Sequence, residues 1–354
     1  MRVAVVTQFG VGNASTRHRA LQHLPRLSER FDEVVALVPH DSGERRAGRV
    51  GALAYFGGHA VAYVRRAAQL RRELRRFDAV LVQRGGYPMG PALVVEPLVA
   101  FAGRLVYDLD DAVFVPSVTL SRRSAAARWL YGPQQARRLL DRADAVVVSS
   151  PALAAALPGG RTADAVLPTV PDVERYPLVD PRRPAPMRVG WVGNAGNLPH
   201  LDPLREVFER LADAGVARLE VVSSRSWAGP GGFHRWRLEE EHSLFARFDV
   251  GIMPLIDSQY ARAKAGFKLL QYMAAGLPVV ASPVGVNTQL VHDSGAGALA
   301  DTPPTWERAL RELAADPELR ARQGSQGRTF VESYADLGAQ AERIAELLRG
   351  PPRP

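Results

Sequence analysis

Three short segments gather side chains that can do chemistry together. In Tyr107-Asp-Leu-Asp-Asp111 three carboxylates fall within four residues. Like charges that close disfavour one another, so a cation, a cluster of sugar hydroxyls or helix N-terminal amides must offset Asp108, Asp110 and Asp111. Asp108 and Asp110 also have the D-x-D spacing that can hold a divalent metal. That tripeptide is common, and an acidic cap for a following helix accounts for it as well. In Lys264-Ala-Gly-Phe-Lys-Leu-Leu-Gln-Tyr-Met-Ala-Ala-Gly276, a helix from Phe267 puts Leu269, Leu270, Met273 and Ala274 on one face. Extended back to Lys264, it gathers Lys264, Lys268 and Gln271 in a sector of about 60°. Lys268 in the first turn opposes the helix dipole. A diphosphate at that N-terminus reverses the penalty, whereas a solvated polar stripe bears it.

The third segment is Gln8-Phe-Gly-Val-Gly-Asn-Ala-Ser-Thr16. Gly10 and Gly12 begin a loose dinucleotide fingerprint, but the third glycine would fall at Ser15. Val34 and Val35 stand near the place of a ribose-binding acid, although Asp32 and Glu33 are close. An NAD site is poorly supported, while a turn that brings backbone amides to a ligand remains open. On a helix from Thr16, Arg17 shares a face with Ala20, Leu21, Leu24 and Leu27. It either meets an anion or snorkels at the sheet edge. The same phase sends Arg19 to the opposite, solvated face.

These segments need elements to position them. Val3–Thr7, Glu33–Val38, Ala79–Gln83, Arg104–Asp108 and Ala145–Ser149 read as buried parallel strands alternating with helical stretches. The proline-dense segment Pro171–Pro186 reads as a linker. The rhythm then restarts with strands Arg188–Val192, Leu219–Ser223, Val250–Pro254 and Val279–Ser282. Gly276 ends the helix before the last of these as a C-cap. Helices Glu307–Ala314 and Leu337–Arg349 follow. The expected division is an N-terminal domain over 1–170, a linker over 171–186, a C-terminal domain over 187–335, and a helix and tail over 336–354 that pack back toward the N-terminal domain. Ligands of open α/β sheets sit beyond the carboxyl ends of the strands, which is where all three segments fall.

At 354 residues, two cores are expected rather than one. The absence of cysteine excludes disulfides, thiolate metal sites and a thiol nucleophile, and it fits a cytoplasmic setting. The net charge of +8 favours anionic partners such as nucleotide phosphates or lipid headgroups, and an arginine-rich composition alone also produces it. The arginine pairs Arg65-Arg66, Arg71-Arg72 and Arg75-Arg76 read as a solvated helix face or as a peripheral contact with an anionic membrane. The uncharged run Leu269–Val291 is broken by Gly276, Pro278, Pro283 and Gly285, so it is no membrane helix.

The segment Lys264–Val280 closely resembles family-4 glycosyltransferases of the GT-B fold, in the branch carrying K-x3-K-x2-Q-Y-M-A-x-G-x-P-V-V. Ser15–Arg19, Leu81–Arg84, Val106–Asp111, Val148–Pro151, Leu167–Thr169 and Gly190–Gly193 look like the corresponding family segments. The resemblance implies two Rossmann-like domains with parallel sheets facing across a cleft. It also implies retaining sugar transfer from a nucleoside diphosphate without a metal or other cofactor, to a small-molecule, glycan or lipid-linked acceptor and with no nucleic-acid partner. The duplicated architecture argues against the single-domain D-x-D class.

The family's E-x7-E pair is Ala263 and Gln271 here. Gln271 keeps a group that can reach a ribose, and Ala263 loses the contact to the donor sugar. The family's cationic clamp after the first strand of the second domain is missing from Gly193-Asn-Ala-Gly-Asn197. Lys264, Lys268 and Arg225 are the expected replacements. The donor site is therefore expected to comprise Gly10, Gly12, Arg17, Gly193, Asn194, Arg225, Lys264, Lys268, Gln271, Gly285 and Asn287, with Asn13 and Arg84 on the acceptor side. Asp108, Asp110, Asp111 and Lys268 are the catalytic candidates, since stabilising the departing diphosphate lowers the barrier most. A sugar-nucleotide epimerase on the same fold and a non-catalytic nucleotide-sugar-binding protein are the alternatives.

Overall fold

A computed structural model describes residues 1–39, 49–88, 90–115 and 133–350. The helix expected after Asp111 and the tail past Gly350 lie outside the described residues. By its contacts the chain divides into two units. Met1–Thr169 and Leu337–Pro354 form one, and Val170–Asp336 forms the other.

The first unit holds strands β1 (Arg2–Thr7), β2 (Glu33–Leu37), β3 (Ala79–Gln83), β4 (Arg104–Leu109), β5 (Ala145–Val148) and β6 (Ala165–Val166). They form one parallel sheet in the order β2-β1-β3-β4-β5-β6. β3 and β5 are buried along their whole length, as an apolar run covered on both faces must be. The helix Leu337–Arg349 completes this core. Its Ile344, Ala345, Leu347 and Leu348 pack in one cluster with Val3, Val5, Leu81 and Val106. Gln340 donates to the Pro168 carbonyl at 3.0 Å, and Arg30 pairs with Glu342 at 2.8 Å.

The helix Arg49–Glu73 does not present a uniform basic face. Arg66 is buried and donates to the carbonyls of Gly86, Thr7 and Leu37, so it pins the helix over the ends of the strands. Arg72 and Arg76 pair with Glu73. Among the described residues no helix is long and apolar enough to cross a membrane.

In the second unit, β7 (Met187–Val192), β8 (Ala217–Ser223), β9 (Gly232–Arg235), β10 (Val250–Met253), β11 (Val279–Ala281) and β12 (Gly297–Leu299) form a parallel sheet in the order β12-β11-β10-β7-β8-β9. The order reverses between β7 and β10, and the crevice of such a sheet opens at that point. Gly190 in β7 and Gly251 in β10 are strand glycines with a packing reason. A Cβ on either would come within 2.1 Å of a ring, Phe248 or Tyr272 respectively. Tyr272 sits on the helix Phe267–Ala274, and its hydroxyl accepts from the Val192 amide at 3.0 Å. That contact ties the helix to the end of β7. The segment 171–186 lies within this unit, with Tyr176 and Val179 buried.

Candidate functional site

In the first unit the acidic segment ends β4 and meets two arginines. Arg19 is 4% exposed and grips Asp108 with Nε at 2.8 and 3.0 Å and Nη2 at 2.7 Å. It also donates to the Leu167 carbonyl. This corrects the expectation of a solvated Arg19. Thr16–Ala20 is a π-helical turn followed by a 3-10 turn at Leu21–His23, and only Leu24–Ser28 is α-helical. The π turn holds more residues than 3.6, so an α-helical phase counted from Thr16 points the side chains the wrong way. Arg17 instead lies half-buried and donates to the Val11 carbonyl at 2.6 Å.

Arg84 follows β3 and binds both remaining carboxylates, Nε to Asp110 and Nη2 to Asp111. Its backbone is in the left-handed region, with φ 65. Side chains pay for that conformation, and here its amide donates to the Asp108 carbonyl at 2.9 Å and its own carbonyl accepts from the Tyr107 hydroxyl at 2.7 Å. Ser15 donates to the other Asp110 oxygen and accepts from the Gln83 amide at 2.6 Å. The Oε1 of Gln83 is buried without a partner.

Asn13 shapes the approach loop. Its amide donates to the Gly10 carbonyl at 3.1 Å, its Oδ1 accepts from the Ser15 amide at 2.9 Å, and its carbonyl accepts from the Arg17 amide at 3.2 Å. Gly10 is buried and Gly12 exposed.

The arginines split the carboxylates electrostatically. Burial pushes Asp108 up to about 6 against the pull of Arg19. Burial also works to raise Asp110, but Arg84, Ser15 and Arg19 outweigh it and hold that carboxyl below its ordinary value. The negative charge that the sequence leaves open is thus met by guanidinium groups. No group of three or more His, Asp or Glu side chains suited to a metal occurs among the described residues.

In the second unit the reversal point between β7 and β10 carries the lysine. A Cβ on Gly193 would lie 2.9 Å from Lys268 Nζ, so the ammonium rests directly over the backbone after β7. It stands 4.9 Å from the ring centre of the buried Trp191. Gly266 caps the helix Phe267–Ala274 in the left-handed conformation, and no acid occupies the first turn. The helix does not reach back to Lys264, because Gly266 breaks it at φ 69. Lys264 lies in the preceding loop, its Nζ 5.0 Å from the Tyr260 ring centre. The common helical sector expected for Lys264, Lys268 and Gln271 therefore does not exist.

Gly285 packs against the backbone leading into that loop, and Asn287 braces the turn after β11. A Cβ on Gly285, at φ 61, would come within 2.5 Å of the Arg262 carbonyl oxygen, and Asn287 is buried with its amide on the Ser282 carbonyl at 3.2 Å. Gln271 is buried and donates to the Tyr176 hydroxyl at 2.9 Å. Asn194 and Arg225 are exposed, in the loops after β7 and β8.

His200 is a group that strand and motif reasoning passes over. It lies in the 3-10 stretch Ala195–Leu204 after β7, and its Nδ1 accepts from the Ile256 amide at 3.0 Å. Burial first, then Lys264 and Lys268, push it down to about 4. A cavity of about 420 Å³ opens beside it, lined also by Pro254, Asp257, Ser282, Val284 and Asp301.

Residues 187–316 match the family described as "Glycosyl transferases group 1". Two curated relatives are D-inositol 3-phosphate glycosyltransferases. The one from Paenarthrobacter aurescens (strain TC1) is 33% identical over 126 residues, 35% of this chain and 27% of that one. The one from Streptomyces bingchenggensis (strain BCW-1) is 25% identical over 217 residues, 51% of this chain and 47% of that one. The matched stretches span about a quarter and about half of those relatives. Among solved structures, HepE from Anabaena in complex with UDP-glucose superposes with a TM-score of 0.67 at 14% identity, covering 98% of this chain and 99% of that one. WaaG, a glycosyltransferase involved in lipopolysaccharide biosynthesis, does so with a TM-score of 0.62 at 15% identity, covering 98% and 100%. The fold is of the GT-B type, with two Rossmann-like units.

Proposed function

We propose that this protein is a glycosyltransferase that moves a sugar from a nucleoside-diphosphate sugar to an acceptor hydroxyl, with retention of anomeric configuration and without a metal. The family match over the second unit and the glycosyltransferase names of its relatives support the reaction class. HepE and an alpha-glucosyltransferase are recorded with UDP or UDP-glucose, which supports a nucleotide-sugar donor.

One observation carries the reading within this chain. Lys268 lies over Gly193 at the point where the strand order reverses, in the first turn of a helix with no acid to satisfy its N-terminus. An ammonium there opposes the helix dipole, and a bound diphosphate favours both. As the bond from the sugar to the diphosphate breaks, charge grows on the leaving group, and Lys268 and Lys264 stabilise it. In the first unit, Asp110 and Asp111, held by Arg84, are the carboxylates we assign to orienting acceptor hydroxyls. Asp108 is committed to Arg19 and positions that loop.

Titration calorimetry with Lys268→Ala tests the assignment. Loss of a charge-assisted contact should weaken a nucleoside diphosphate about tenfold to a hundredfold. The bare nucleoside should bind as before. Equal losses for both, or no loss for either, would move Lys268 out of the phosphate site.

A further inference from the structure

The loop after β7 contains no cation from Gly193 to Asn197, yet it is the backbone over which Lys268 rests. Three residues later the same stretch carries His200. Its Nδ1 is occupied by the Ile256 amide at 3.0 Å. An imidazole nitrogen that accepts carries no proton, so in the neutral ring the proton sits on Nε2. Nε2 has no hydrogen-bond partner among the described residues, and the ring forms one wall of the cavity of about 420 Å³ at the ends of β10 and β11.

We propose that His200 is the phosphate-binding group of this loop, donating a hydrogen bond from Nε2 to the diphosphate of the donor as an uncharged partner to Lys264 and Lys268. The proposal rests on the donor reading above and adds a residue to it.

The charge arrangement explains why a neutral donor fits. Burial keeps the ring unprotonated, and the positive charges of Lys264 and Lys268 add to that effect. A third cation beside them would repel both in the empty site. A neutral N–H adds a directed bond without that cost. The acids of the cavity are otherwise engaged: Asp257 pairs with Arg262 at 2.6 Å, and Asp301 accepts from the Thr305 hydroxyl at 3.1 Å. Neither supplies His200 with a counter-ion. When a diphosphate enters it becomes that counter-ion, so the pKa of His200 should rise on binding.

Two measurements test this. Nitrogen-detected NMR of the ring in the full chain should show the Nε2–H tautomer and a pKa well below the ordinary histidine value without ligand. Adding UDP, GDP, dTDP or ADP, whichever binds, should raise that pKa. In calorimetry, His200→Phe, which keeps the ring shape but has no donor, should weaken the diphosphate about tenfold or more. His200→Gln, whose amide reaches as far as Nε2, should recover part of the loss. Melting curves establish that each variant is folded, and the NMR titration of the unaltered protein stands if one is not.

The inference is overturned if His200→Phe binds the diphosphate as tightly as the unaltered protein. It is overturned equally if the ring titrates at an ordinary value and ligand does not move it. If none of the four nucleoside diphosphates binds the unaltered protein, the donor reading itself falls. Loss of binding in Lys268→Ala with none in His200→Phe would remove only His200.

Discussion

Arg84 combines a left-handed backbone with a guanidinium that serves two carboxylates. The conformation costs roughly 1–3 kcal/mol and persists because the ion pairs and the two backbone contacts fix it. Arg84→Gln removes the guanidinium that Asp110 and Asp111 share. We expect a loss of about 3–5 kcal/mol in urea unfolding, much of it recovered when Asp110→Asn is added. Additive losses would mean that the pairs are not coupled.

A second expectation concerns acid. His23 is pushed down to about 3 by burial and by Arg19 and Arg26. Its contribution to stability is present above the unfolded value of 6.5 and is lost as pH falls toward 3, at roughly 1.4 kcal/mol per unit. Asp108, raised to about 6, has the opposite slope, since its folded form holds a proton that the unfolded form has released above 3.8. The two slopes oppose between pH 4 and 6. Asp108→Asn should therefore steepen the acid loss in that window, and His23→Leu should reverse it. Parallel pH curves for the three proteins would refute the assignment.

At this scale the lysines and the acidic run were legible, because charge at a strand end or helix start is conspicuous. Arg19 was not. Its direction depends on a π turn at Thr16–Ala20, and a sequence carries no signal for that extra residue. The one hint was Asp108 itself, a carboxylate at the end of a buried strand that requires a nearby cation.

Among the elements, the helix Phe267–Ala274 matters most, because Tyr272 links it to β7 through the Val192 amide and to β10 by packing on Gly251. Gly251→Ala puts a methyl within 2.1 Å of the Tyr272 ring. Overpacking of this kind costs roughly 1–3 kcal/mol. It also shifts the turn carrying Lys268, so diphosphate affinity should fall together with stability. Unchanged affinity in a destabilised variant would uncouple the helix from the site. The central strands were readable as apolar runs, whereas β6, β9 and β12 were not. β6 has two residues and β12 three, and β9 alternates exposed and half-buried side chains in Gly-Phe-His-Arg, so none presents a run to recognise. The end of the helix was legible, since Gly276 adopts φ 75 just past it. Its start was not, since a left-handed Gly266 cuts Lys264 away from an otherwise continuous pattern.

For the molecule as a whole, the restart of the strand–helix rhythm after the proline-dense segment was enough to show two parallel sheets. The chain's return to its first unit is a property of packing. Leu337, Ile344, Leu347 and Leu348 are buried there, and burial of four such side chains contributes roughly 6–12 kcal/mol, comparable to the stability of a domain. A chain ending at Asp336 should lose hydrogen-exchange protection in β1 to β5 while β7 to β12 stay protected. Even protection across both sheets would show that the helix is dispensable.

That return has a consequence for synthesis. Residues 170–336 are contiguous and leave the ribosome before the helix that the first sheet requires. At about 5–20 residues per second, the first unit waits roughly 9–36 s after Thr169 is made before the helix is complete. During that interval the side chains of Val3, Val5 and Val106 that the helix will cover remain accessible to chaperones or to other nascent chains. The unit begun first is therefore finished last, and the portion carrying Lys268 can reach its native state while the acidic cluster still awaits its supporting helix.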